Sequence, residues 1–472
     1  MIRFFVSLVL LSLSPSMGLA QDQGAPPAPP PMTPELQTAV GGKVGVGMIG
    51  EDLFVNLSVG STFAFGKIKF GVHAPLRIRA WDRKPKDKDV IRKEDWDEWQ
   101  EYFRILRFFQ YGEPDDLFYL RVGELVAASL GHGTIVHRYY NNLDIDHFSM
   151  GFDTRLNFRE AGGEVLTNDL LNPELVALRG YVRPMTLWDH GKGEIFDRLA
   201  VGFTFAADVQ APWELRTTTI TTDEEEKQAP RVDKVGNLSY ERAVASLWGF
   251  DVGWTVVKLE KFDLTPYMDF NFLAAKGFGW HPGVMMTVRP AEKTWIEMRF
   301  EYRALTKRYA PTYFNSFYDF QRTQTFTQAG ADPYDYALWR YWTEGTGHKV
   351  RHGFFGELYA SLFGVIGIGG LYEDYTGRNN SNVMLRADFP YVANLKLAAY
   401  YAKRNFNEFK ELFTRDDAWF VAEARYRFIQ WMYVFAVYSL HWEMVKDETS
   451  RRYGDYDSID DFQVGLGVEI TF

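Results

Sequence analysis

The sequence predicts an all-β protein, a transmembrane antiparallel β-barrel of about 18–20 strands. The clearest observation lies in the last residues, Phe462 to Phe472, where apolar side chains alternate with polar or small ones. A tilted strand of about 9–11 residues crosses a hydrocarbon layer, whereas a helix needs about 20 apolar residues. This segment therefore has the length and the two faces of a membrane-spanning strand.

The first residues supply a second observation. Arg3 precedes an apolar run over residues 4–13, and the small residues Gly18 and Ala20 follow it. These are the charged, apolar and small-residue regions of a secretory signal peptide, and the run is too short for a spanning helix. We expect a signal peptide over residues 1–20, cleaved after Ala20, and export without an α-helical anchor.

Composition is the third observation. The chain has 46% hydrophobic and 17% aromatic residues, yet its mean hydropathy is -0.26. A barrel explains this combination, because one face of each strand meets lipid and the other meets water. The chain contains no cysteine, which excludes disulfides and thiolate metal sites. Its net charge of -10 gives no reason to expect nucleic acid as a partner.

Residues 21–41 form a proline-rich region after the signal peptide, with six prolines between positions 26 and 34. Such a segment is extended, since proline fits neither a helix interior nor a sheet ladder. We expect a periplasmic tail that is either a spacer or a docking segment for a periplasmic partner. Residues 42–472 are expected to form the barrel.

Alternating segments follow one another from residue 42 onward. In the segment 67–80, a shift of one residue would place four cations in lipid, so chemistry fixes its register. Twenty strands are predicted, at residues 42–50, 52–65, 67–80, 102–111, 116–124, 147–158, 163–169, 174–184, 196–209, 238–257, 261–273, 278–289, 293–304, 349–361, 363–373, 382–389, 392–403, 417–428, 431–443 and 459–472. The segment 163–169 is short, which leaves eighteen strands as the alternative.

The predicted connections differ in length in a regular way. The long ones lie at residues 81–101, 125–146, 210–237, 305–348, 404–416 and 444–458, and each follows an odd-numbered strand. Outer-membrane barrels have short periplasmic turns and longer extracellular loops. If the amino-terminus is periplasmic, all the long connections lie on the extracellular side.

The chain resembles the class of bacterial outer-membrane β-barrels, and is porin-like at the level of that class. A closing strand that alternates and ends on an aromatic residue, here Phe472, resembles the signal that such barrels present to their assembly machinery. The resemblance implies the outer membrane of a Gram-negative bacterium as the location. It also implies membrane lipid and the barrel assembly machinery as partners. No motif identifies a substrate-specific family.

A barrel of this strand number encloses a lumen. The inward faces of the predicted strands carry charges of both signs, and the candidate pore-lining residues are Arg77, Arg79, Glu297, Arg299 and Arg425. These charges either create a field that sorts solutes or pair across neighbouring strands and stiffen the wall.

Polar residues are most concentrated between Gly131 and His147. The candidate constriction residues in this cluster are His132, His137, Arg138, Asp144, Asp146 and His147. Three interpretations compete: a loop that folds into the lumen and narrows it, a surface or plug loop built from turn-forming residues, and a metal site. The spacing matches no defined zinc or calcium loop, so we expect no metal and no cofactor.

The connection 305–348 is rich in aromatic residues, among them Trp339 and Trp342, which we place at the mouth of the barrel. A connection of this length has either a structure or a function of its own. Its rings either pack the loop over the rim or stack on a flat ligand such as a sugar.

Two function classes follow from these observations. The first is a porin-like passive channel for small hydrophilic solutes, with inward-folded loops that constrict the lumen. The alternative is a closed structural barrel that anchors or scaffolds an envelope-spanning complex. We expect no enzyme, because Ser129 and His132 lack the surroundings of a serine nucleophile. A barrel protease with an Asp–His pair remains an alternative, with Asp144, Asp146 and His147 as its candidates.

Overall fold

The computed structural model describes residues 38–49, 52–82, 90–92, 95–96, 99–142, 148–187, 194–222, 225–231, 239–274, 277–322, 349–377, 380–415, 418–444 and 456–471. The signal peptide and residues 21–37 of the proline-rich region lie outside these ranges, so both remain predictions. The first strand begins at Ala39, three residues before the predicted start of the barrel.

The described chain is built almost entirely from β-strands. Their bounds are β1 Ala39–Ile49, β2 Asp52–Phe65, β3 Ile68–Trp81, β4 Leu106–Tyr111, β5 Phe118–Gly123, β6 Gly151–Asn157, β7 Ala161–Thr167, β8 Leu175–Val182, β9 Leu199–Leu215, β10 Thr217–Thr222, β11 Glu225–Pro230, β12 Tyr240–Trp254, β13 Val257–Lys258, β14 Phe262–Leu273, β15 Gly277–Ala291, β16 Thr294–Thr306, β17 Val350–Leu362, β18 Ile366–Tyr375, β19 Ser381–Val392, β20 Leu395–Phe406, β21 Ala418–Ile429, β22 Met432–Met444 and β23 Tyr456–Thr471. Twenty of these 23 strands form one wall, because β10 and β11 pair only with each other and β13 is a two-residue strand beside β14.

Pairing between the first and last strands closes the wall. β1 and β23 run antiparallel, from the pair Ala39 and Thr471 to the pair Gly47 and Gln463. The short segment predicted at 163–169 is β7, which pairs with β6 and β8. The prediction of a closed antiparallel barrel with twenty strands is therefore confirmed. Closure removes the free edges that an open sheet would expose.

The two faces of the wall have opposite polarity. On β23, Val464 and Leu466 are 42% and 44% exposed, whereas Asp461 on the other face is 6% exposed. The largest fully buried side chains include Arg303 and Arg425. Apolar side chains outside and ionisable ones inside invert the pattern of a soluble protein, and such a surface is stable against hydrocarbon. The chain is a transmembrane β-barrel of the outer-membrane type, in contact with lipid.

Connections on the two ends of the barrel differ in length, as predicted. The connections 82–105, 124–150, 216–239, 307–349, 407–417 and 445–455 follow the third, fifth, ninth, thirteenth, seventeenth and nineteenth strands of the wall. The opposite end has one exception that the sequence did not predict. Residues 183–198 follow the eighth strand and are longer than the connection 407–417, because they contain two short helical segments.

Short helical segments lie within the described connections. Trp99–Ile105, Pro184–Leu187 and Phe409–Phe413 are three-ten helices, and Glu194–Asp197 and Tyr318–Gln321 are single α-helical turns. Among the described residues, no helix has the length and apolar character needed to cross a membrane.

Candidate functional site

The connection between β5 and β6 lies across the inside of the barrel. On one side, Arg155 of β6 donates to the backbone carbonyl of Ser129 (3.0 Å). On the other side, His137 Nε2 lies 3.3 Å from Glu357 Oε2 of β17. Since β6 and β17 are the sixth and fourteenth strands of the wall, residues 124–142 reach both only by crossing the lumen.

A second segment, residues 307–322, runs beside the first. The backbone N–H of His137 donates to the carbonyl of Phe314 (2.9 Å), and the N–H of Phe314 donates to the carbonyl of Ile135 (3.1 Å). These bonds form a short parallel bridge inside the barrel. The two segments therefore act as one structural unit, which we call the lumen segments.

An apolar core lies between the lumen segments and the inner face of the wall. Its buried members are Leu125, Ala128, Leu130, Ile135, Val136, Tyr139, Leu166, Leu175, Ala177, Ala206, Ala211, Ala245, Leu247, Leu273, Leu305, Tyr309, Ala310, Tyr313, Phe314, Tyr318 and Tyr375. Phe317 packs edge-on against Trp419 of β21, with ring centroids 4.8 Å apart. The described rings of the aromatic connection thus pack inside the barrel, which is neither of the two positions that the sequence suggested.

His132 is fixed by a carboxylate of the wall. Its Nδ1 lies 2.8 Å from Asp269 Oδ1 of β14, and the hydroxyl of Thr134 donates to Asp269 Oδ2 (2.6 Å). The imidazole also stacks on the ring of Tyr267, with centroids 4.3 Å apart. Both oxygens of one buried carboxylate are therefore used to hold this end of the loop.

His137 lies between a carboxylate and a guanidinium group. Arg299 Nη1 is 3.3 Å from His137 Nδ1, and Glu357 Oε2 is 3.3 Å from Nε2. Because arginine can only donate, Nδ1 accepts, and the ring hydrogen on Nε2 points towards the carboxylate. The ring of Phe355 lies edge-on to the imidazole at 5.8 Å.

Arg138 shares Glu357 with its neighbour. Its Nη1 donates to Glu357 Oε1 (3.1 Å), and the guanidinium lies 4.0 Å above the ring centroid of Tyr359. The backbone at Arg138 has a φ of 49°, and its N–H donates to the hydroxyl of Ser129 (2.8 Å). A non-glycine residue adopts this conformation only when its surroundings hold it there.

The charges on β16 are paired with one another. Glu301 accepts from Arg299, from Arg303 Nε (2.6 Å) and from the hydroxyl of Tyr267 (2.6 Å). Arg303 Nη1 also donates to the hydroxyl of Tyr375 on β18 (2.6 Å). On this part of the wall the charges form a hydrogen-bonded network, which stiffens it.

An acidic cluster surrounds Arg322 at the end of the second lumen segment. Arg322 Nε lies 3.0 Å from Asp208 Oδ2, and Nη1 bonds Glu174. The hydroxyl of Tyr139 donates to both oxygens of Asp319 (2.9 Å each). Burial, reinforced by the negative charge of Glu174, raises the pKa of Asp319 to about 8. Burial likewise raises the pKa of Tyr139.

Two of the predicted pore-lining arginines lie away from the lumen segments. Arg77 Nη1 bonds Asp95 (2.5 Å), a carboxylate that Arg92 also reaches at 2.8 Å. Arg425 Nε bonds Glu423 (2.5 Å) on its own strand. Both predicted arginines are buried and belong to separate ion pairs of the wall.

The remaining predicted residues fall into two groups. Arg79 is 3.3 Å from Asp52, and Glu297 is half-buried on β16. Outside the described residues lie Asp144, Asp146, His147, Trp339, Trp342 and Phe472. The roles of those six residues remain predictions.

Sequence reasoning missed the wall residues that receive the loop. Asp269 accepts from His132, and Glu357 accepts from Arg138 and lies 3.3 Å from His137, but nothing near either acid in the sequence indicates such a partner. A weak signal existed. Asp269 occupies the polar face of a predicted strand, and that periodicity places it inside the barrel.

No protein-family model and no curated protein matches this sequence. The solved structures to which this chain is similar include OccK11 (OpdR) of Pseudomonas aeruginosa, at 12% identity and a TM-score of 0.33, covering 92% of this chain and 96% of that chain. The outer membrane protein opdK of Pseudomonas aeruginosa has 8% identity and a TM-score of 0.34, with 92% and 99% covered. A mutant of the ferric enterobactin receptor PfeA of the same species has 9% identity and a TM-score of 0.37, with 92% and 80% covered. These likenesses are too distant to bear on any residue or substrate of this chain, whose fold rests on its own strand pairing.

Proposed function

We propose that the barrel is a passive channel for small hydrophilic solutes in the outer membrane, narrowed by the lumen segments. One observation carries this proposal: the inward-facing side chains are unevenly buried. On β12, β14 and β17, inward residues such as Asp251, Asp269 and Glu357 are covered by the lumen segments. On β1 and β2, inward residues such as Lys43 and Asn56 are half-exposed.

Half-exposed inward residues continue on β3, β19 and β20, and we call this part of the interior the accessible sector. Its polar members are Lys43, Asn56, Ser58, His73, Arg386, Asp388 and Lys396. A surface that is polar, inward-facing and open to water is what a solute path requires. The accessible sector therefore supports a solute path along one side of the wall, beside the lumen segments.

Charge in the accessible sector favours anions. Lys43 and Lys396 lie within electrostatic range of the Arg425–Glu423 ion pair, so two positive side chains act on one region beside a pair that is neutral overall. Asp388 is bonded to Arg386, which neutralises it. Fields between charges in a confined lumen are screened less than on an open surface, so anions should pass more readily than cations.

A closed structural barrel is the second candidate, and the apolar core favours it. Tyr139, Tyr309 and Phe314 are completely buried between the lumen segments and the wall. Such packing is typical of a plug that stays in place rather than of a loop that moves aside. This candidate predicts a folded barrel that carries no current.

Conductance across a planar bilayer tests the proposal. The refolded chain is compared with a variant in which residues 126–141 are replaced by a short glycine-serine linker. The matched control removes residues 217–230, the β10–β11 hairpin, which pairs only with itself. We expect stable current steps from the unaltered chain, larger steps after replacement of 126–141, and no change after removal of the hairpin.

Folding of each variant is checked by the shift of its unheated band on a gel. If all three proteins fold and none conducts, the channel proposal fails and the closed barrel stands. If both variants conduct equally well and better than the unaltered chain, the constriction does not lie in the lumen segments.

A further inference from the structure

The connection between β20 and β21 folds over the outer face of the barrel. Tyr400 and Ala402 of β20 belong to an interior cluster, so the alternating residues Tyr401 and Lys403 face outward. The Tyr401 hydroxyl donates to the backbone carbonyl of Leu412. Lys403 Nζ likewise donates to the hydroxyl of Thr414 (2.9 Å), so two outward side chains hold this connection against the lipid-facing side.

Two phenylalanines project from the folded-back segment. Phe409 and Phe413 are 76% and 78% exposed, more than any other large apolar side chain among the described residues. Their rings are 5.7 Å apart and edge-on, so they form one apolar surface on the three-ten helix Phe409–Phe413. Exposure to water would be costly for two adjacent rings of this size.

The segment lies at the level of an aromatic row on the wall. Tyr401 pairs with Phe420 of β21, and Phe420 contacts Tyr438 of β22, with ring centroids 6.0 Å apart. Tyr438 is 37% exposed on the outer face. Rows of outward aromatic residues mark the boundary between hydrocarbon and headgroups in such barrels. Leu412, bonded to Tyr401, is thus held at that boundary.

Exposed ion pairs flank the two rings. Lys410 bonds Glu408 and Arg415 bonds Asp460, and the side chains of Lys410 and Arg415 are 76% and 56% exposed. Rings next to charged pairs suit a membrane interface, where the rings reach the acyl chains and the charged groups stay in the headgroup layer. The surface is also continuous with the lipid-facing wall beneath it.

We propose that residues 407–415 are an interfacial lipid anchor, in which Phe409 and Phe413 insert among the acyl chains of the leaflet on the side of the long connections. The occupant of this surface is lipid. The proposal does not depend on whether the barrel conducts. It gives the connection a role in fixing the depth of the barrel in the membrane.

Spin labelling in bilayers tests the anchor, and the absence of native cysteine makes every introduced label unique. Nitroxide labels are placed on single variants Phe413→Cys, Leu397→Cys and Arg159→Cys in vesicles of phosphatidylcholine and phosphatidylglycerol. Leu397 is a lipid-facing wall control, and Arg159, which is 73% exposed in the turn between β6 and β7, is the water-facing control. We expect the label at 413 to be more accessible to oxygen than to a water-soluble nickel chelate, as at 397 and opposite to 159.

In a second measurement the label does not itself replace a phenylalanine. A label on Leu412→Cys is compared with and without the additional changes Phe409→Ser and Phe413→Ser. Insertion of the rings predicts that the label loses oxygen accessibility and gains nickel accessibility when they are replaced. The proposal would be overturned if the label at 413 behaved like the one at 159 and the accessibility of the label at 412 did not change with the serine replacements. The label at 397 shows in the same samples that the barrel is inserted.

Discussion

His137 Nε2 lies 3.3 Å from Glu357 Oε2, and this contact joins a connection that starts on β5 to a strand nine places further round the wall. Arg138 Nη1 reaches the other oxygen of the same carboxylate at 3.1 Å. One buried acid therefore holds two consecutive residues of the lumen segment, and both are residues that the sequence singles out. Glu357 is therefore one of the wall residues that hold the loop, together with Asp269.

Replacement of this acid should loosen the loop. Glu357→Gln keeps the size of the side chain but removes the negative charge that Arg138 and His137 contact. Breaking a buried pair on one side costs about 3–5 kcal/mol, and the remaining amide should reduce that to about 2 kcal/mol. We expect a lower urea midpoint in lipid vesicles and larger, noisier current steps.

The control for this change is an exposed pair. Arg159→Gln breaks the contact between Arg159 and Asp197, and these two side chains are 73% and 38% exposed. Exposed pairs contribute little, so its urea midpoint and current should equal those of the unaltered chain. Equal behaviour of the Glu357 and Arg159 variants would show that the carboxylate does not hold the loop.

Asp319 should make the stability of the second lumen segment depend on pH. The pKa of its carboxyl is raised to about 8 in the folded state, chiefly by burial. An unfolded aspartate has a pKa of about 3.9, so the folded state retains a proton that the unfolded chain has lost. Stability from this group is therefore complete below about pH 4 and is lost as pH rises towards 8. The urea midpoint should fall over that range.

Other groups titrate in the same interval, so the comparison is with Asp319→Asn. The amide oxygen still accepts from Tyr139, and the variant carries no charge at any pH. We expect a smaller fall in the urea midpoint between pH 5 and pH 9 for the variant. Parallel pH curves for the two proteins would rule out Asp319 as the origin of the dependence.

Gly133 places the loop against two of the residues that fix it. It has a φ of 75°, and a Cβ atom there would lie 2.7 Å from His137 Nδ1 and 2.9 Å from Arg299 Nη1. Gly133→Ala therefore adds a collision to the cost of about 1 kcal/mol for a side chain at positive φ. We expect a lower urea midpoint and current steps as large as those of the variant in which residues 126–141 are replaced.

Gly66 is the control that separates the backbone cost at positive φ from the collision of the added Cβ atom. It lies in the turn between β2 and β3 with a φ of 58°, and a Cβ atom there would meet nothing within 4 Å. Gly66→Ala should show the backbone cost alone, a slightly lower urea midpoint with unchanged current. If both variants change the current alike, the space around Gly133 is not what positions the loop.

The barrel was predictable because its signal is local. Alternation with a period of two residues fixes both the strand and the face, so even the short β7 could be located from the sequence. The connection 183–198 was missed because helical turns such as Pro184–Leu187 carry no such period.

The wall residues that hold the loop could not be predicted, because their contacts are not local in the sequence. His132 and Asp269 are 137 positions apart, and only closure of the barrel brings them together. The concentration of polar residues from Gly131 to His147 identified candidate residues. Whether they form a constriction or a surface loop depends on the wall side chains that they contact inside the barrel. A single sequence contains no record of which acid meets which base across a lumen.

The accessible sector should set the ion preference of the channel. Lys43 and Lys396 are half-exposed and face inward, so Lys43→Gln together with Lys396→Gln removes two positive charges from the proposed path. We expect the reversal potential in a potassium chloride gradient to shift towards cations, because the field that attracts chloride is weaker. Lys67→Gln is the matched control, since Lys67 lies in a turn, is 60% exposed and bonds Asp116. A shift of the same size in the control would mean that net charge, and not the accessible sector, determines selectivity. No shift in the double variant would place the solute path on another side of the barrel.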